Sequence, residues 1–251
     1  MERRIGFSTL ALFWQPPAAW AETARADGFS AMEILCEGPS WPRSAPAAAM
    51  AETLRDSGLE LYLHSPTIDL NPASVNAGIR EETLRQLRES ADMAATLGAR
   101  FVTTHPGLVH RDKVRAFCGD YALQVLGEAA DYARARRVTL SIENMPCGRK
   151  FFCDTPDELD AFRRHCGCGV TIDVGHAILC PEPRAFLQLP DISYLHVNDN
   201  RGHKDEHLCP GDGILDLHLL DGQPRLIIEL DDYNKVLRAR VNILGNGVKP
   251  A

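Results

Sequence analysis

No Cys-x-x-Cys pair occurs in this chain; its eight cysteines are scattered, and the tightest spacing is Cys166-Gly-Cys168. That excludes the common zinc-finger and thioredoxin-like patterns. In a chain of 251 residues, long enough for an ordinary core, the cysteines read as reduced thiols of a cytoplasmic protein. No apolar run approaches the ~20 residues a membrane-spanning helix needs. A glycine-rich phosphate loop is missing after the first strand-like run, which argues against an open dinucleotide-binding sheet. GxxxxGK followed by Ser or Thr, GxSxG and HExxH are also absent. Positive charge is in short supply, with 27 Lys and Arg against 34 Asp and Glu and a net charge of −7. A broad nucleic-acid-binding surface needs cations to displace phosphate counterions, so nucleic acid is not the expected partner. There is no linker, repeat array or low-complexity segment, and residues 1–251 read as a single domain.

What the chain does have is a regular alternation. Short apolar runs recur at Ile5–Leu10, Ala31–Cys36, Leu59–His64, Arg100–Thr104, Val138–Ile142, Gly169–Asp173, Ile192–Val197 and Arg225–Leu230. Their near-continuous apolar character is that of parallel strands covered on both faces. Helix-like stretches lie between them. Ile79–Leu97 has apolar residues near 3.6 spacing and stops at Gly98; Val114–Arg136 is similar; Thr155-Pro156-Asp157-Glu158 is a capping box opening a helix to about His165. Eight strand–helix units predict one closed (β/α)8 barrel of the TIM type, and the length matches the ~250 residues typical of that fold.

The N-terminus reads in two ways. MERRIGFSTLALFWQPPAAWAE resembles a secretory leader: a basic start, an apolar middle and small residues beyond. Ser8 and Thr9 break the apolar run, however, and Pro16 and Pro17 suit a helix start. Without this segment only seven strands remain. The expectation is therefore a first strand followed by a first crossover helix.

Five of the nine histidines sit at or just past strand ends: His64, His105, His176, His196 and His207. Glu143, Asp173, Asp205 and Glu229 are interspersed with them. Imidazole and carboxylate are the side chains that bind divalent metals. In a β/α barrel the C-terminal strand ends converge on one face, which carries the chemistry. Burying Glu143 or Glu229 at the end of an apolar strand is costly unless each is paired or bound to a cation. Asp173 and His176 are three apart, so one turn lets both face inward. Asp205 and His207 follow the seventh strand and either add a ligand pair or tie down the Gly211-Asp212-Gly213 loop. His110, His165, His203 and His218 read as ordinary surface or core residues. The stretch from Glu37 to Ala49 is the most loop-like and should border the active face.

The segments HSP, THPG, IEN, IDVGHA, LHVNDN, DEH, GDG and IIEL occur in that order between Ile5 and Leu230. Together they resemble the xylose isomerase-like barrel superfamily, and most of all its branch that includes endonuclease IV, the abasic-site endonuclease. The resemblance implies three divalent ions. His64, His105 and Glu143 would hold the first. Glu143 would bridge to a second, completed by Asp173, His196 and Glu229. His176, Asp205 and His207 would hold the third. Zinc is the implied metal, with manganese as an alternative, and the implied chemistry is hydrolysis of a phosphoester. Sugar and sugar-phosphate isomerases and epimerases of the same superfamily resemble the chain at Glu143, Asp173, His196 and Glu229, which in them bind one metal. There the two glutamates would move protons, and His176 and Arg201 would contact substrate. Unlike the endonuclease, the chain has no aromatic wedge after His64, where Ser65, Pro66, Thr67 and Ile68 follow, and its loop 37–49 offers only Arg43 and Trp41. The expected substrate is therefore a small or medium-sized molecule carrying sugar or phosphate.

Overall fold

A computed structural model describes residues 3–43 and 46–245. Eight parallel strands close into a barrel in sequence order. They are β1 (Arg4–Ser8), β2 (Ala31–Leu35), β3 (Glu60–His64), β4 (Phe101–Thr104), β5 (Thr139–Glu143), β6 (Gly169–Asp173), β7 (Ile192–Val197) and β8 (Arg225–Ile228). Helices α1 (Pro17–Ala26), α2 (Ala47–Leu54), α3 (Ala77–Leu97), α4 (Arg115–Arg134), α5 (Pro156–Cys166), α6 (Val174–Ile178), α7 (Pro183–Phe186) and α8 (Tyr233–Gly245) surround it. The eight-fold barrel expected from the alternation is the fold of the molecule. None of the described helices is long and apolar enough to cross a membrane.

The N-terminal run is the first strand, but it ends at Ser8. Thr9–Leu12 instead form a 3-10 turn: the Ser8 hydroxyl accepts from Leu10 N, and Thr9 Oγ1 accepts from Leu35 N at 3.0 Å. Pro17 occupies the first position of α1. Gly6 of β1 is required by packing, because a Cβ there would lie 2.3 Å from the Ala31 carbonyl oxygen on β2. The cap signals read at Gly98 and Thr155 act locally, and Asn76 adds an N-cap that was not read from the sequence. Asn76 caps α3 through Gly78 N, and Gly98 ends it at φ +70°. Thr155 caps α5 through Glu158 N at 3.2 Å. The reciprocal half of that capping box is replaced: Glu158 instead binds the Arg115 guanidinium and Cys153 N.

The link from β7 to β8 departs from the pattern, running as a long loop with one 3-10 turn at Leu217–Leu220. Glycines and Pro210 make a helix costly there. Asp199 organises the loop instead. Its Oδ2 accepts from Gly211 N and Gly213 N, and its Oδ1 from Leu215 N and Asn200 N, at 2.8–2.9 Å.

Alternation along the strands divides the barrel interior into levels. Ala31, Tyr62, Phe101, Tyr194 and Ile227 form an apolar cluster of their own, with Tyr62 and Tyr194 stacked at 4.6 Å between centroids. Two residues further on come Glu33 on β2, His64 on β3, His196 on β7 and Glu229 directly after β8. The change from apolar to ionisable therefore follows the two-residue period of a strand.

Candidate metal centre

Every strand from β3 to β8 delivers one donor to the barrel mouth. His64, Glu143 and Asp173 are the last residues of β3, β5 and β6. His105 and Glu229 directly follow β4 and β8, and His196 is the penultimate residue of β7. Asp173 lies opposite His196 in the strand register. His176 is added by α6, and Asp205 and His207 by the β7–β8 loop. The nine side chains fall into three groups: His64, His105 and Glu143; Glu143, Asp173, His196 and Glu229; and His176, Asp205 and His207. Within each group the donor atoms lie within 4.8 Å of one another. Glu143 belongs to two groups, its Oε2 lying 3.3 Å from both His64 Nε2 and His105 Nε2, and its Oε1 3.1 Å from His196 Nδ1. Asp205 Oδ2 sits 3.2 Å from both His176 Nε2 and His207 Nε2. His110, His165, His203 and His218 enter none of these groups.

Four of the five histidines are oriented by their far nitrogen. His64 Nδ1 meets Ser65 O at 2.9 Å, His176 Nδ1 meets Asn144 O at 2.8 Å, and His207 Nδ1 meets Glu229 O at 3.1 Å. A carbonyl oxygen only accepts, so Nδ1 carries the proton in each ring and Nε2 is left to face the carboxylates. In His196 the roles reverse: Nε2 meets Glu33 Oε2 at 2.8 Å, and Nδ1 faces Glu143 and Glu229. When its second proton is displaced, a ring held this way turns a lone pair to the shared space, the arrangement that ligating histidines use.

Electrostatics point the same way. Burial by itself lowers a histidine, yet the carboxylates overcome it: Glu143 and Glu33 raise His64 to about 9, Asp173 and Asp205 raise His176 to about 10, and Asp205 and Glu229 raise His207 to about 10. His196 is also raised, by Glu229, Glu33 and Glu143. His105 goes down, because burial outweighs the pull of Glu143. Burial raises Glu229, while the neighbouring imidazoles outweigh burial at Glu143 and hold it well below the usual carboxylate range. So dense a set of acids and imidazoles calls for positive charge at its centre, supplied by protons or by divalent cations. Five imidazoles, four of them with the far nitrogen engaged, and four carboxylates fit divalent cations.

The loop role considered for Asp205 and His207 belongs to Asp199, which holds the backbone of Gly211, Gly213 and Leu215. His207 adopts φ 47°, a left-handed conformation that a side chain enters at some cost. Arg201 is exposed and engaged by Glu206, with Nη1 to Oε1 at 2.8 Å. The stretch 37–49, expected to be a loop, is shorter as one, since α2 begins at Ala47; residues 44 and 45 lie outside those described, and Trp41 Nε1 donates to Gln86 while Arg43 pairs with Glu89, so both dock on α3.

Three participants escaped the sequence reading. Glu33, fully buried on β2, contacts His196. Asn144 brackets the Asp173 backbone, donating to its carbonyl and accepting from its N–H at 3.0 and 2.7 Å. Asn198 donates to Asp173 Oδ2 at 2.7 Å, while Asp173 Oδ1 caps α6 through His176 N. The available signal for Glu33 was a carboxylate inside the apolar run AMEIL, the same kind of signal that marked Glu143 and Glu229. Gly175 is needed beside this cradle, since a Cβ there would lie 1.7 Å from Asn198 Oδ1.

Comparison with known proteins agrees with this architecture. The family model for the xylose isomerase-like TIM barrel matches residues 21–221. A probable endonuclease 4 of Mycobacterium bovis (strain BCG / Pasteur 1173P2) is 30% identical over 217 residues, covering 78% of this chain and 81% of that protein. A crystal structure of a D-tagatose 3-epimerase-like protein superposes with a TM-score of 0.86 at 26% identity, covering 97% of this chain and 96% of the other. Endonuclease IV from Thermus thermophilus superposes at 0.76 with 21% identity, covering 97% of this chain and 99% of the other. The chain is a member of the xylose isomerase-like TIM barrel family.

Proposed function

We propose that this protein is a multi-metal phosphoesterase acting on a small or medium-sized phosphorylated molecule. The observation that carries the reading is the third donor group. His176, Asp205 and His207 are gathered within 4.8 Å beside the two groups that share Glu143, and the backbone of the loop that carries Asp205 and His207 is held at Gly211, Gly213 and Leu215 by Asp199. In this reading His64, His105 and Glu143 hold one ion, Glu143, Asp173, His196 and Glu229 a second, and His176, Asp205 and His207 a third. Bound ions, zinc or alternatively manganese, would supply Lewis acidity that stabilises phosphoryl charge and acidifies water. The protein's own part is to hold nine donors in place. Asn144 and Asn198 fix Asp173, backbone carbonyls fix three imidazoles, and Glu143 and Glu229 bring negative charge to the floor of the site. Eight free cysteines suit a reducing compartment.

A second reading, a one-metal sugar or sugar-phosphate isomerase or epimerase, is favoured by one feature: Glu143 and Glu229 both flank His196 Nδ1, at 3.1 and 3.4 Å, two carboxylates placed together as proton transfer would need. His176 and Arg201 would then face substrate. The likeness to the epimerase-like structure supports it. The Asp205→Ala/His207→Ala double variant separates the two. The phosphoesterase reading expects loss of one zinc equivalent, measured by elemental analysis after chelator-free purification, together with loss of phosphodiester hydrolysis. Full metal content with retained sugar epimerisation would refute it and promote the isomerase.

A further inference from the structure

Each oriented imidazole has one outward partner, and three of the four partners are neutral carbonyls: Ser65 O, Asn144 O and Glu229 O. His196 is different. Its Nε2 is 2.8 Å from the Glu33 carboxylate, and both side chains are fully buried. Glu33 Oε2 also accepts from the Tyr194 hydroxyl. That hydroxyl is hydrogen-bonded to Thr103 Oγ1, which in turn meets Thr171 Oγ1. Donation therefore runs from Thr171 to Thr103 to Tyr194 to Glu33, across β6, β4, β7 and β2. The other Glu33 oxygen, Oε1, has no hydrogen-bond partner. A neutral residue on β2 would avoid both the buried charge and the orphaned oxygen, so the fold itself gives no reason to keep a carboxylate here.

From this geometry we infer that Glu33 is a positioning residue that locks His196 with its proton on Nε2 and strengthens Nδ1 as a donor to the central ion. The inference rests on the metal-centre reading above and adds a residue to it. A charged acceptor draws the Nε2 proton more strongly than a carbonyl does, and electron density moves through the ring to Nδ1. The Tyr194 hydroxyl holds the acceptor at a fixed angle. Of the three groups, the one containing His196 should then bind its ion most tightly, and Glu33 should affect that ion more than the others.

The test is zinc binding by the full-length protein, read by competition with a chromophoric chelator. Wild type is compared with Glu33→Gln, which keeps an acceptor but removes the charge, and Glu33→Leu, which removes both. Outer partners of ligating histidines typically contribute 10–100-fold in metal affinity. The tightest zinc equivalent should weaken by ~10-fold in the Gln variant and ~100-fold in the Leu variant, with the remaining equivalents weakened less. Nitrogen-15 spectra of the histidines should show the Nε2-protonated tautomer of His196 retained with Gln and mixed with Leu. Should Leu fail to fold, the Gln variant decides alone. Unchanged affinity for every equivalent, or equal weakening of all of them, overturns the role of Glu33 while leaving the metal centre standing. A wild-type protein that binds no zinc overturns the metal centre itself, and the role of Glu33 with it.

Discussion

The Asp199→Asn substitution tests what holds the loop that carries Asp205 and His207. Asp199 is fully buried, and each of its oxygens accepts from two backbone N–H groups: Oδ2 from Gly211 and Gly213, and Oδ1 from Leu215 and Asn200. An amide offers one oxygen. Whichever way it turns, its NH2 meets two N–H donors, so two hydrogen bonds to a charged acceptor are lost. At ~1.5–3 kcal/mol each, the loss is ~3–6 kcal/mol. Gly211 and Gly213 lie on an exposed stretch where water recovers part of it, so the lower end, ~3 kcal/mol, is expected. For a chain of this size that corresponds to a fall of ~6–12 °C in Tm. The assay is urea unfolding of the metal-free protein, followed by zinc titration of the folded variant. The third zinc equivalent should weaken as well, because Asp199 also pairs with Leu208, the neighbour of His207, through both backbone groups. If Asp199→Asn unfolds within ~0.5 kcal/mol of wild type, the range of an ordinary surface change, the account of the loop is wrong and Asp205 and His207 regain their claim as its tie.

Gly175→Ala should displace Asn198 from Asp173, since the new methyl would lie 1.7 Å from Asn198 Oδ1; zinc titration should show the group containing Asp173 weakened, and wild-type affinity would refute the close contact. Metal-free protein should lose stability as pH rises from about 6.5 to about 10, because His64, His176 and His207 are held at about 9 to 10 when folded, against ~6.5 unfolded. Their contribution is complete below the unfolded value and is lost as they deprotonate. Zinc-loaded protein, whose rings must be neutral to ligate, should lack that decline, and urea unfolding across pH checks both halves. Binding to a duplex carrying an abasic site should be weak at physiological salt, given the net charge of −7 and the engagement of Trp41 and Arg43 on α3; tight binding that falls steeply with added salt would refute this.

The barrel was legible in the sequence because its signals are local. Strand runs bounded by Gly, Pro and capping residues need no tertiary information, and eight of them in alternation leave few architectures. Six of the nine candidate ligands were legible for a related reason: a polar or charged side chain that ends an apolar strand is costly wherever the strand lies, whereas His176, Asp205 and His207 lie on α6 and the β7–β8 loop and were read from their spacing. The tertiary structure decided what depends on closure. Glu33 reads as one polar residue within AMEIL until the barrel brings β2 face to face with β7, 163 residues away, and sets its carboxylate on His196. The tautomers follow from which acceptor each far nitrogen meets, a carbonyl for three of them and the Glu33 carboxylate for His196. Whether Asp199 or the Asp205–His207 pair holds the Gly211–Gly213 loop turns on distances of 2.9 Å between groups that sequence separation does not order. Local propensity and burial cost can be read along the chain, whereas hydrogen-bond partners are chosen among groups that become neighbours only once the barrel has closed.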